Sequence, residues 1–266
     1  MALNVDLSPP TSSISYSGTW QTQGFTASFQ DSDASGIKYK FYHVASRTTA
    51  TTPFLSNQTM GFFVDEFIAN TGLWTNQSGN FQAMNGSFLL NDATQNNSNA
   101  YAQVSQTSQH TYLYTWKQRI TSSNTNQRAG MHFFCSDPTL PNRGNSYFVY
   151  FREETDKVQL YKVLNDAFTL VKEDSVNILV NQWDQVYVTY SPQSGLIQVY
   201  LNALHVSSWT DANPLQQGTA ISLRSGACTV TFDEVYVYKN HSHSEQITVG
   251  PGQEIAHQSD QQQESG

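Results

Sequence analysis

Residues 182–211 constrain the fold of this chain more than any other stretch. Val186, Val188 and Tyr190 alternate with polar or aromatic neighbours, residues 192–195 (Pro-Gln-Ser-Gly) break the run, and Ile197, Val199 and Leu201 resume it. Successive side chains of a strand point to opposite faces, so a period of two on both sides of a Pro/Gly break spells a β-hairpin. Asn202 and Ala203 supply a second tight turn into Leu204, His205 and Val206.

The same cadence recurs along the chain. Strands are expected at residues 100–104, 111–121, 129–135, 146–153, 157–164, 220–223 and 229–238, with turn residues between them and no helical period. Many short strands of this kind make an all-β sandwich. Three units are expected. Residues 1–60 carry three short strands, at 12–16, 25–29 and 37–44, which is little for an independent core. Residues 61–240 form the main sandwich. Residues 241–266 are a polar tail, in which Gln246-Ile-Thr-Val249 and Glu254-Ile-Ala256 have the pattern of brief strands. The tail is therefore expected to add strands, either to the incomplete N-terminal unit or to a neighbouring copy, making a homo-oligomer through terminal strands.

Composition narrows the function classes. Only 13% of residues are charged and the formal net charge is −8. With no basic stripe to displace phosphate counterions, nucleic acid is not an expected partner. No apolar run approaches the length of a membrane-spanning helix. The neutral, Asn/Gln/Ser/Thr-rich surface suits a secreted, cell-surface or particle-associated protein, although the N-terminus lacks the basic and apolar regions of a signal peptide. Two cysteines, Cys135 and Cys228, lie in apolar strand runs, where small buried thiols or one inter-strand bridge are both compatible.

Candidate chemistry is sparse. Glu153, Glu154 and Asp156 fall in a hairpin turn, and Asp233 and Glu234 are adjacent in the last strand, where alternation sends them to opposite faces. Paired-carboxylate catalysis is not expected. Asp31, Asp33 and Ser35 put oxygen ligands at alternate positions, as calcium prefers, and a plain turn uses the same residues. A glycan surface needs aromatic platforms beside polar groups. The candidates are Trp116, which shares a strand face with Tyr112 and Tyr114; Arg143, Asn145 and Tyr147 in the run 142–147; Trp209 and Asp211; and Arg152 and His132, with Arg128.

These pieces resemble a known family. The hairpin ending in Ile197-Gln-Val-Tyr-Leu-Asn202, the opening Phe62-Phe-Val-Asp-Glu-Phe67 with Trp74, Gly79-Asn-Phe81 and Met84 to Leu90, and the closing Phe232-Asp-Glu-Val-Tyr-Val-Tyr238 are similar to the concanavalin A-like (laminin G-like) jelly roll. Asp31 to Ile37 resembles part of a bacterial immunoglobulin-like repeat. Together with Pro9-Pro-Thr11, Gly61 to Asp65 and Asn142 to Tyr147, the order resembles surface proteins of Bacteroidota-type bacteria and accessory regions of cell-wall amidases. The resemblance implies a structural calcium near the first and last strands, at Asp65 (or Glu66) and Asp233. It implies a non-catalytic module that binds a polysaccharide or cell-wall glycan. A self-assembling subunit of a fibre, capsid or injection particle is the alternative, and a glycan-cleaving enzyme the third reading.

Overall fold

The computed structural model describes residues 11–15, 24–32, 39–46, 55–90, 97–121, 125–241, 246–251 and 253–260. The N-terminal region gives β1 (Thr11–Ser15), β2 (Phe25–Ser32), β3 (Tyr39–Ser46) and the short β4 (Leu55–Ser56), followed by a single 3-10 turn at Gln58–Met60. Next come β5 (Phe63–Asp65), β6 (Trp74–Ser78), β7 (Phe81–Met84), β8 (Ser87–Leu90), β9 (Ser98–Thr107), β10 (Tyr112–Ile120), β11 (Arg128–Cys135) and β12 (Ser146–Arg152). The chain continues through β13 (Lys157–Leu164), β14 (Ala167–Ser175), β15 (Asp184–Ser191), β16 (Leu196–Leu201), β17 (Leu204–Thr210), β18 (Gln217–Gly226) and β19 (Val230–Asn240). It ends in β20 (Gln246–Val249) and β21 (Gln253–Asp260).

Two large antiparallel sheets face each other. One runs β14-β13-β12-β11-β18-β9-β6; the other runs β17-β16-β15-β10-β19-β3-β21, with β4, β5, β7 and β8 attached. The hairpin read from sequence is present. Val186 pairs with Leu201, Val188 with Val199 and Tyr190 with Ile197, and all six side chains are buried. Gly195 sits at positive φ, and a Cβ there would lie 2.0 Å from the Asp211 carbonyl oxygen, so only glycine fits the turn. Asn202 and Ala203 both take positive φ (50° and 67°), the mirror-image turn that suits the twist of paired strands.

The core lies between the sheets and includes Trp116, Phe133, Tyr147, Val149, Phe151, Leu160, Val188, Leu223 and Val237. Burying each such side chain contributes about 1.5–3 kcal/mol. Trp116, expected as a glycan platform, belongs here. It is fully buried and its Nε1 donates to Gln118 Oε1 (3.0 Å). The reason is topological: β10 lies between β15 and β19, so its aromatic face is turned to the opposing sheet.

A second, smaller cluster joins Ala27, Phe29, Tyr42, Val44 and Phe62 to Ile247 and Val249 of the tail. β20 pairs with β2, and β21 runs along the whole of β3. Cys135 and Cys228 are free and buried, and burial pushes their thiols up to about 12 and about 11. Two irregularities were not legible as alternation. In β11 the register shifts between His132 and Cys135, with Phe134 at positive φ, and Gln106 Oε1 accepts the freed Phe134 N–H (3.0 Å). In β19 a bulge at Glu234 puts it and Asp233 between the buried Phe232 and Val235. Both carboxylates therefore face outward, correcting the expectation of opposite faces.

Candidate functional site

The face of the seven-stranded sheet turned away from the core is built from the alternate residues of strands whose other half is core. In β12, Tyr147, Val149 and Phe151 point inward, leaving Ser146, Phe148, Tyr150 and Arg152 outward. In β11, Ala129, Met131 and Phe133 point inward, leaving Arg128, Gly130 and His132. Register then aligns these residues across strands. One row reads Leu170, Tyr161, Phe148, His132, Ser222, Tyr101, Thr75. The next reads Glu173, Gln159, Tyr150, Gly130, Arg224, Asn99, Ser78. A third reads Ser175, Lys157, Arg152, Arg128, Gly226.

The first row is an aromatic layer. His132 stacks on Phe148 (4.0 Å between centroids, 9° between planes), which meets Tyr150 at 4.3 Å and Tyr161 at 5.9 Å. Phe168 closes over His132, Phe148 and Tyr161 and is itself 36% exposed. The Arg224 guanidinium lies 4.8 Å from the Phe168 ring and 5.7 Å from that of Phe148, and Arg128 lies 5.8 Å from the Tyr150 ring. These are distances at which a cation is drawn to an aromatic face. Gly130 leaves the space in which its two register partners, Tyr150 and Arg224, come together.

A loop over residues 136–145 roofs one end of this face. Arg143, fully buried, donates from Nε to Ser222 Oγ (2.8 Å) and from Nη1 to the carbonyls of Pro138 (3.1 Å) and Leu140 (2.6 Å). Arg224 Nη1 donates to Asn142 Oδ1 (3.1 Å). Asp166 Oδ1 accepts the amides of Asn142 (2.7 Å) and Gly144 (3.1 Å), while Asn145 Oδ1 accepts Asn165 N–H (2.8 Å). Asn145 is thus a turn brace. Arg152 donates to Gln159 Oε1 and to Asn126 Oδ1, both at 2.6 Å.

The electrostatics are those of crowded cations. Burial first, then Arg224, pulls the Arg143 guanidinium down to about 10. Burial, with Arg224 and Arg143 adding to it, holds His132 well below the usual histidine range. Burial pushes the Tyr150 hydroxyl up to about 12. Four buried polar atoms of this face have no hydrogen-bond partner among the described residues: His132 Nε2, Arg143 Nη2, Asn99 Oδ1 and the Tyr150 hydroxyl.

The other predicted residues fall elsewhere. Tyr147, Asp211 and Trp209 meet at the edge of the core. Tyr147 donates to Asp211 Oδ2 (2.6 Å), Lys162 pairs with the same oxygen (2.6 Å), and Leu215 N–H donates to the Tyr147 hydroxyl (3.0 Å). Trp209 packs edge-on to Tyr147 at 6.3 Å. This set fastens the connection from β17 to β18 and is structural.

Asp65, expected as a calcium ligand, is saturated by donors: Phe67 N–H (2.8 Å), Thr71 Oγ1 (3.0 Å) and Trp74 Nε1 (3.1 Å). Asp233 accepts Glu234 N–H (2.7 Å); burial first, then Glu234 and Glu66, raises its carboxyl. Glu234 pairs with Lys117 (2.5 Å), and Glu66 accepts from the Tyr236 hydroxyl (2.6 Å). Asp31 pairs with Lys40 (3.4 Å), whereas Asp33 and Ser35 lie outside the described residues. Among the described residues no group of three or more His, Cys, Asp or Glu side chains is placed to hold a metal. The described acids among the expected ligands, Asp31, Asp65 and Asp233, instead meet a lysine, amides, a hydroxyl and an indole N–H. No described helix is long and apolar enough to cross a membrane.

No family model matches the chain, and no curated protein sequence matches it. Solved structures do. The chain is similar to the carbohydrate-binding module CBM66 from Bacillus subtilis, at 20% identity, covering 69% of this chain and 98% of that one with a TM-score of 0.54. It is similar to a Bacillus licheniformis beta-glucanase at 15% identity, covering 68% and 99% with a TM-score of 0.50. Lectin II from Ulex europaeus stands at 11% identity, 68% and 98%, with a TM-score of 0.50. At such identities the likeness establishes the fold: this is a concanavalin A-like jelly roll.

Proposed function

We propose that this chain is a carbohydrate-binding module whose glycan lies on the outer face of the seven-stranded sheet. The observation that carries the reading is the cross-strand row from Leu170 through Tyr161, Phe148 and His132 to Tyr101, edged by guanidiniums and amides. Sugars present apolar C–H faces to rings and hydroxyls to fixed donors, and this face offers both. Phe168, Tyr161 and Tyr101 are the rings that remain partly exposed. A binding module and a lectin among its structural relatives support the same reading.

A non-catalytic role is supported by the acids nearest this face. Asp166 holds two backbone amides and Glu173 accepts from Gln159 Nε2 (2.6 Å), so neither is posed as nucleophile or acid against the other. Such a module works outside a cell or on a particle surface, where polysaccharide is met. Affinity electrophoresis of the folded chain in gels containing individual polysaccharides tests the proposal. At least one polysaccharide should retard the protein, Phe168→Ala should abolish the retardation, and no reducing ends should be released. Retardation unchanged in Phe168→Ala and Tyr161→Ala would move the site off this face.

A further inference from the structure

We propose that the glycan bound on this face is anionic, carrying carboxylate or sulfate groups that the arginines engage. The inference rests on the reading of the face as a glycan site. Four of the six arginines of the chain, Arg128, Arg143, Arg152 and Arg224, lie on this one face or in the loop above it, although the formal net charge is −8. Chance placement on an acidic protein would not gather them, and like charges held close in a partly desolvated layer raise the free energy of the empty protein.

The hydrogen-bond partners of three of them, Arg143, Arg152 and Arg224, carry no charge. Arg143 bonds to a hydroxyl and two carbonyls, Arg152 to two amide oxygens, and Arg224 to an amide oxygen. Asp166 is a carboxylate near both Arg143 and Arg224 and favours their charged forms, but its Oδ1 accepts the Asn142 and Gly144 amides, and one carboxylate faces two guanidiniums. Arg143 Nη2 is left without a partner although the residue is fully buried.

Neutral sugars need hydroxyl-sized donors and acceptors, which Asn and Gln supply. A planar guanidinium matches the two oxygens of a carboxylate or sulfate. Arg152 and Arg128 face one another across neighbouring strands, and Arg224 stands one row along. Residues two apart on a strand are about 7 Å apart, so a polymer with repeated acid groups meets more than one guanidinium.

The test is calorimetric titration of the full chain with polygalacturonate (carboxylate), a sulfated galactan (sulfate), and neutral galactan and dextran, each at low and high salt. Binding of the carboxylate polymer, the sulfate polymer or both, with neutral polymers at least about tenfold weaker, is expected, and whichever binds identifies the acid group. Arg152→Gln and Arg128→Gln should each weaken binding about tenfold, the scale of one charge-assisted hydrogen bond. Raised salt should weaken the native protein without any substitution, which guards against a variant that misfolds.

A neutral polymer bound as tightly as the acidic ones, insensitive to salt and to Arg152→Gln, would overturn the inference. If Phe168→Ala still abolished that binding, the glycan site itself would stand. An acidic polymer whose binding ignored both arginine substitutions would also overturn it. No polymer bound at all would remove the inference and the site together.

Discussion

Two clusters of aromatic and charged side chains in this protein look alike in sequence and differ in physics. One joins Tyr147, Asp211, Lys162 and Tyr190 at the edge of the core; the other joins Phe148, Tyr150, His132 and the arginines on the outer face of the same sheet. In the first, charge meets opposite charge and donors meet acceptors: Asp211 takes Tyr147, Lys162 and Asn213 N–H, and Tyr190 donates to the Leu215 carbonyl (2.7 Å). In the second, cations crowd cations and buried polar atoms go without partners. A network selected for stability closes upon itself, whereas one that is left open stores binding capacity at the expense of the empty fold.

The sharpest way to break this contrast is to cut the closed network. Asp211→Ala leaves the Lys162 ammonium only the Asn213 carbonyl and the Tyr147 hydroxyl without its acceptor, and should cost about 2–4 kcal/mol in denaturant unfolding. Adding Lys162→Met should return much of that loss, since removing both partners spares the unpaired charge. A cost below about 1 kcal/mol for the single variant would show that the network is not what fastens β17 to β18.

Acid should come next in size. Burial holds His43 down to about 4, against an ordinary value of 6.5. Above the ordinary value the imidazole is neutral folded and unfolded, and contributes nothing to the pH dependence. Below it the unfolded chain takes a proton that the folded one refuses, so stability is lost as pH falls from 6.5 towards 4, by about 3 kcal/mol for His43 alone. His132 is depressed as well and acts in the same direction. Asp65 and Asp233 are raised and act in the opposite one. Urea unfolding across this window should show the loss, and His43→Gln should flatten it.

The smallest stability effect should be on the open cluster. Arg152→Gln exchanges a partly exposed cation for a neutral amide and should leave unfolding within about 0.5 kcal/mol of the native chain, while binding weakens about tenfold. A large destabilisation there would make the arginines structural and erase the distinction between the two clusters.

How much of this was legible follows the same line. The hairpin at residues 186–201 was, because its valines and its Gly195 break have one pattern that fits one geometry. Trp209 with Asp211, and separately Tyr147, were named as glycan contacts, but sequence does not say that the three meet one another, nor that Asp211 is taken by Tyr147 and Lys162. His132, Arg143 and Arg152 were named, yet Phe148, Tyr150 and Tyr161 beside them were not. The signal that could have found them is β12 itself: Tyr-Phe-Val-Tyr-Phe is aromatic on both faces, where a sheet with one watered side should alternate with polar residues. Arg224 and the partners of Gly130 depend on register between distant strands, and β14, which carries Phe168, has too mixed a pattern to read as a strand. The bulge at Glu234 shifts a face by one extra residue, which no period-two argument anticipates.

The most direct test of the central claim is backbone amide NMR of the full chain titrated with whichever polysaccharide retards it. The account predicts shift changes concentrated in β11, β12 and β18, at residues 128–132, 148–152 and 222–226, with Phe168 and Tyr101 included. Changes gathered instead on the outer face of the other sheet, at Glu66, Tyr187 and residues 233–238, would contradict it.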